Sequence, residues 1–114
     1  GGGRRARARE ANYRARASEE RVRNAEIEIA RDARVAWYNA DSAFQRIGLA
    51  AQLLSHAKES FDLAQERYRL GLASIVELSQ AVLSLTVAEI ESANARFEYR
   101  IQRSILDYQR GQLP

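Results

Sequence analysis

The chain has no cysteine and no methionine, and its single proline is the last residue. Without cysteine, neither a disulfide framework nor a thiolate metal site is open to it. Without an internal proline, nothing in the sequence forcibly breaks a helix. Glycine is almost confined to the ends, Gly48 being the one interior glycine between Arg4 and Leu70. Aromatic residues make up 8% of the chain, and its apolar runs fall far short of the roughly 20 residues needed to span a bilayer as a helix. No transmembrane helix is therefore expected. No run alternates with the period of two that a half-buried strand requires. What is present is alanine, arginine, glutamate and leucine, with 29% charged and 46% hydrophobic residues. That composition predicts an all-α chain of the long-helix or coiled-coil type. At 114 residues it amounts to one domain or a piece of one. An opening run Gly1-Gly2-Gly3 with no methionine and no visible signal peptide reads as an excised fragment whose targeting information lies elsewhere.

Stop and start signals stand back to back at one place, Arg67-Tyr68-Arg69-Leu70-Gly71-Leu72-Ala73-Ser74-Ile75-Val76-Glu77-Leu78. Gly71 lacks the Cβ that makes the left-handed conformation costly, so it suits the residue that ends a helix. Arg67 and Arg69 place positive charge in the last turn, where it complements the helix dipole. Ser74 and Glu77 form a Ser-x-x-Glu capping box that opens the next helix, with Ala73 and Leu78 at the staple positions. The spacing predicts a helix over about 4–70, a tip turn at 71–74 and a second helix over about 75–110. At 1.5 Å per residue these are rods of roughly 100 Å and 53 Å. The second is expected to end at Gly111, with that glycine as its cap. Folding back from the tip brings residue 110 near residues 34–37 and leaves the first thirty or so residues without a partner.

Seven-residue columns mark the packing surfaces. Ile47, Leu54, Phe61 and Tyr68 form one column on the first helix, and Ala43, Ala50, Ala57 and Ala64 another. A large column beside an alanine column suits closely packed antiparallel helices. The second helix carries Val76, Leu83, Ile90 and Phe97; then Leu78, Leu85, Tyr99 and Leu106, broken by Ser92; then Ala81, Ala88 and Ala95. These columns lie on more than one side, whereas a lone hairpin needs one seam. The surplus calls for neighbours on a second side. Sustained heptads also imply left-handed supercoiling. Trp37 and Tyr38, with Val35 and Phe44, are expected to form a local core against Ile105 and Tyr108.

The basic character belongs to one end. Residues 4–23 hold eight arginines against three glutamates, a net of +5 in a chain of net +3, so the remainder sums to −2. This segment buries little, and it should fray or find a partner in trans. Its arginines have the charge to meet phosphates of nucleic acid or lipid, yet no base-reading motif or aromatic platform beyond Tyr13 accompanies them. A solvated, salt-bridged face is the ordinary alternative, and nucleic acid is not expected as a partner. No catalytic residue, metal site or cofactor is expected either. His56 is the only histidine and sits alone on a helix. Glu26, Glu28 and Asp32 lack a nearby histidine and are expected to pair with Arg31 and Arg34. The glycine run Gly1-Gly2-Gly3 precedes no strand-turn-helix phosphate site.

The turn, with its Tyr-x-x-Gly-x-x-x-Ile-Val-Glu-Leu pattern, resembles the TolC family of outer-membrane efflux ducts. So do Gly2-Gly3-Arg4-Arg5 as a strand-to-helix junction, Ala93-Asn94-Ala95-Arg96-Phe97-Glu98-Tyr99 on the return helix, and Gly111-Gln112-Leu113 at its end. The resemblance implies a long antiparallel coiled-coil hairpin, the second-repeat fragment of a periplasmic α-barrel that is trimeric in the full-length parent. It implies a passive part in multidrug efflux or type I secretion, on the periplasmic side of a Gram-negative outer membrane. It further implies that Arg69, Leu70, Gly71, Leu72, Ala73 and Ser74 dock a periplasmic adaptor (membrane fusion) protein coupled to an inner-membrane pump. Glu77 matches one position of an acidic pore gate, while Gln80 stands where the family places a second acid. Membrane contact would come only through parts outside this chain. The alternative from the residues alone is a soluble coiled-coil adaptor or scaffold hairpin acting through helix–helix contacts.

Overall fold

Helix α1 runs over Gly2–Arg69 and α2 over Ile75–Gly111, antiparallel and joined by the tip turn. The computed structural model describes residues 2–114; Gly1, part of the opening glycine run, lies outside them. Among the described residues there is no strand, and no helix is long and apolar enough to cross a membrane. The molecule measures 104 × 21 × 13 Å. Its long dimension is set by α1, which no proline interrupts, and its width by two helices side by side.

The seam follows the heptads. On α1 every residue of the series Ala33, Ala36, Ala40, Ala43, Ile47, Ala50 and on through Leu54, Ala57, Phe61 and Ala64 is buried or half-buried. The alternating steps of three and four are those of a coiled-coil seam. On α2 the matching series runs through Leu78, Ala81, Leu85, Ala88, Ser92, Ala95, Tyr99, Gln102, Leu106 and Gln109. Four alanines and Leu106 make up the buried apolar set, and Ala43 has no exposed surface. Ser92, which interrupts the leucine column, is itself buried, and its Oγ accepts from Arg96 Nη1 at 3.0 Å. A small hydroxyl with a satisfied hydrogen bond is tolerated where the helices approach closely. The register is as expected: Arg110 and Trp37 border one groove, and the rings of Phe44 and Tyr99 meet edge-on at 5.5 Å.

Three expectations need correction. Trp37 and Tyr38 do not form a core with Val35 and Phe44; all four are exposed, as are Ile105 and Tyr108. Ala36 and Ala40 hold the seam there instead, packed on Leu106. Trp37 and Tyr38 follow Ala36 by one and two residues, which turns them about 100° and 200° away from it. Gly111 is not a left-handed cap. Gln112 is the cap in right-handed geometry, and the last carbonyls are closed by three-residue turns to Gln112 and Leu113. Glu26, Glu28 and Asp32 make no ion pair with Arg31 or Arg34 among the described residues; their charges are left to water.

Two surfaces remain uncovered. Residues 2–28 of α1 are exposed throughout, beyond the reach of the shorter α2. On the side of α2 turned away from α1, Val76, Leu83, Ile90 and Phe97 are 54–64% exposed. An apolar column opposite the seam is where a surface helix would ordinarily carry charge.

Candidate functional site

The tip is built by two caps that meet. At the end of α1 the Leu72 N–H donates to the Arg67 carbonyl at 2.7 Å and the Gly71 N–H to the Tyr68 carbonyl at 3.0 Å. This is a Schellman motif, and it requires the left-handed residue that Gly71 supplies, at φ +75°. Gly71 is the one described residue with positive φ. Ser74 then opens α2 from extended geometry, its Oγ accepting from the Glu77 N–H at 3.2 Å. Between the caps the backbone has almost no slack.

Only half of the predicted capping box forms. The Ser74 hydroxyl caps Glu77, but the Glu77 carboxylate turns to Arg67 of the other helix, with Nη2 and Oε2 3.9 Å apart. The same guanidinium donates from Nη2 to the Leu72 carbonyl at 3.1 Å. An opposite charge attracts the carboxylate where a neutral amide competes weakly. Arg67 therefore spans the end of α1, the turn and the start of α2. Sequence reasoning assigned Arg67 to the helix dipole alone and missed this link. The available signal was an arginine and a glutamate on seam-flanking positions, each three residues from the five-residue connection 70–74.

Arg69 is held differently. Both Glu66 carboxylate oxygens accept from it, Oε2 from Nε at 3.0 Å and Oε1 from Nη2. The hydrogen bond to Arg69 holds the Glu66 carboxyl below its ordinary range and raises the Arg69 guanidinium in turn. Of the tip residues named from the sequence, Arg69, Leu70, Gly71, Leu72 and Ser74 are exposed, and Ala73 is half-buried. Leu70, Leu72, Ile75 and Val76 make an apolar rim around the turn, each more than half exposed. Glu77 and Gln80 lie one turn apart on α2, both exposed. Glu77 faces Arg67, and Gln80 carries no charge.

Chemistry beyond contact has little to work with. His56 Nδ1 lies 4.0 Å from Glu59 Oε2 on an exposed face. No group of metal-binding side chains forms among the described residues. A groove with an apolar lining, between Leu49 and Leu53 of α1 and Ala95 of α2, is an open trough along the hairpin.

Comparison with known proteins adds to this geometry. Residues 1–108 match the family described as Outer membrane efflux protein. Over 105 residues the chain is 26% identical to Outer membrane protein TolC of Salmonella enteritidis, covering 92% of this chain and 21% of that protein. The chain thus spans about a fifth of the length of the curated relative it matches. No solved structure matches.

Proposed function

The chain belongs to the outer membrane efflux protein family, and on that footing we propose that it forms two staves of a periplasmic helical tunnel. Its tip would dock the adaptor of an export system. The observation that carries this reading is the second packing face. A free-standing hairpin buries one seam and presents charge elsewhere. Here α2 carries Val76, Leu83, Ile90 and Phe97 opposite the seam, all exposed in the single chain. A helix that packs on both sides is what a closed ring of helices needs, since each stave has two neighbours.

Docking at the tip is supported by shape and chemistry together. The turn is short, pinned by the Schellman motif and Arg67, and rimmed by exposed leucine, isoleucine and valine side chains. Such a surface can enter a helix–helix contact with little loss of its own freedom. Within this reading the carboxylate of Glu77 belongs to the turn, because Arg67 engages it. A gate formed with Gln80 has less support. The role is conduit and contact, without catalysis.

The test is made in the full-length parent protein in its own outer membrane. Gly71→Asp and, separately, Leu72→Asp place a charge on the rim. Leu72 is 66% exposed, so its substitution leaves the fold intact. The expected result is loss of export with normal amounts of assembled protein. Undiminished export by both variants sinks the docking assignment.

A further inference from the structure

Arg67 and Leu72 hold each other twice. The Leu72 N–H donates to the Arg67 carbonyl at 2.7 Å, and the Arg67 guanidinium donates from Nη2 to the Leu72 carbonyl at 3.1 Å. Both polar groups of the Leu72 backbone are thus answered by one residue, the last but two of α1. The Leu72 side chain is 66% exposed and gains little from packing. Its place on the rim is therefore set through its backbone.

Register alone does not bring the guanidinium across. The antiparallel pairing that sets Arg67 opposite Glu77 also sets Arg46 opposite Glu98, 21 residues farther from the tip on each helix. Those two line an open trough and make no ion pair, and Glu98 Oε1 accepts from Gln102 at 2.9 Å instead. What differs at the tip is the Leu72 carbonyl, an acceptor at 3.1 Å, while the Glu77 carboxylate stands farther off at 3.9 Å. The Arg67 and Glu77 side chains are both about half exposed, where an ion pair alone contributes little. The hydrogen bond to the carbonyl does the holding, and the carboxylate aims the guanidinium. Arg69 does not compete for either acceptor, because Glu66 engages it.

We infer that Arg67 is a positioning residue of the tip: it fixes where the Leu72 side chain stands before a partner arrives. Arginine suits this task, since its long apolar stem can lie along the turn while the planar guanidinium reaches two acceptors. Geometry set in advance spares the rim side chains part of the ordering cost of association. Without the guanidinium, the Leu72 carbonyl turns to water and the turn opens more often between its two caps. The role rests on the docking assignment of the tip, to which it adds the residue that prepares the contact.

The test compares Arg67→Met, Arg67→Lys and Glu77→Gln in two measurements. Amide hydrogen exchange on the whole chain follows the Leu72 N–H. Its exchange is expected to quicken roughly threefold to tenfold in Arg67→Met, the effect of losing one exposed hydrogen bond. Arg67→Lys keeps a donor and should recover most of the protection, while Glu77→Gln should change it less than about threefold. Export by the full-length parent, at normal amounts of assembled protein, is the second measurement. It should fall at least about threefold in Arg67→Met, return in Arg67→Lys and be lost in Leu72→Asp. Unchanged exchange in Arg67→Met, or equal losses in Arg67→Met and Arg67→Lys, overturns the proposal. So does export that Arg67→Met leaves intact where Leu72→Asp abolishes it. Export undiminished by Leu72→Asp and Gly71→Asp alike removes the docking assignment itself, and this role for Arg67 with it, whatever the exchange rates.

Discussion

Arg67, Gly71 and Ser74 show how much a turn depends on single atoms. Gly71 sits at φ +75°, where a Cβ costs roughly 1–2 kcal/mol, and the two hydrogen bonds that close α1 both need that conformation. Ser74 contributes a hydroxyl that accepts one otherwise unpaired N–H of α2. The Glu66–Arg69 pair offers a titration with a definite sign. The hydrogen bond from Arg69 lowers the carboxyl in the folded chain. Its stabilisation is therefore present above the unfolded-state value and is lost as pH falls through the lower, folded one. A carboxyl-carbon NMR titration should place the Glu66 midpoint below the ordinary range of free glutamate side chains. Arg69→Ala should return it to their range; an unmoved midpoint would remove Arg69 as the cause.

At the scale of the elements, the hairpin depends on small residues placed every seven. Ala43 has no exposed surface, so Ala43→Leu forces the helices apart and should cost about 1–3 kcal/mol. Leu106 is the one large apolar side chain that is buried, packed on Ala36 and Ala40. Leu106→Ala leaves a void and should cost about 2–3 kcal/mol, near the low end for such truncations because a thin hairpin collapses easily. Urea melts followed by circular dichroism at one chain concentration would measure both. An Ala43→Leu chain as stable as the parent would mean that the helices are not in close contact at this level. The columns themselves were legible: Ile47, Leu54 and Phe61 with Ala43, Ala50 and Ala57 were identified as packing positions and do line the seam. Bulk and apolar character point Trp37 and Tyr38 to the core, but angular position decides, and both are exposed. Two residues next to a seam alanine point elsewhere however large they are.

The whole molecule is a rod of 104 Å that buries only a narrow strip of itself. The exposed Val76, Leu83, Ile90 and Phe97 column extends along most of α2, and such a stripe gains free energy when covered. The isolated chain is expected to self-associate through it. Sedimentation should show species larger than a monomer as concentration rises, and Leu83→Glu with Phe97→Glu should return the chain to monomer. A helical wild-type chain that stays monomeric at high concentration would count against a second packing face on α2, and with it the main support for the tunnel reading.

The two helices, the place of the turn and the seam residues all follow from the order of amino acids. Each rests on local rules: 3.6 residues per turn, the steric freedom of glycine and the capping chemistry of serine. Other features depend on which residues the reversal brings together. That Arg67 reaches Leu72 and Glu77, that alanines and not Trp37 close the lower seam, and that Gly111 is no cap arise from the distance and angle between two packed helices. Periodicity along one helix says which residues share a face. It takes the second helix, at its actual register and separation, to determine which of those faces is buried and which charge finds a partner.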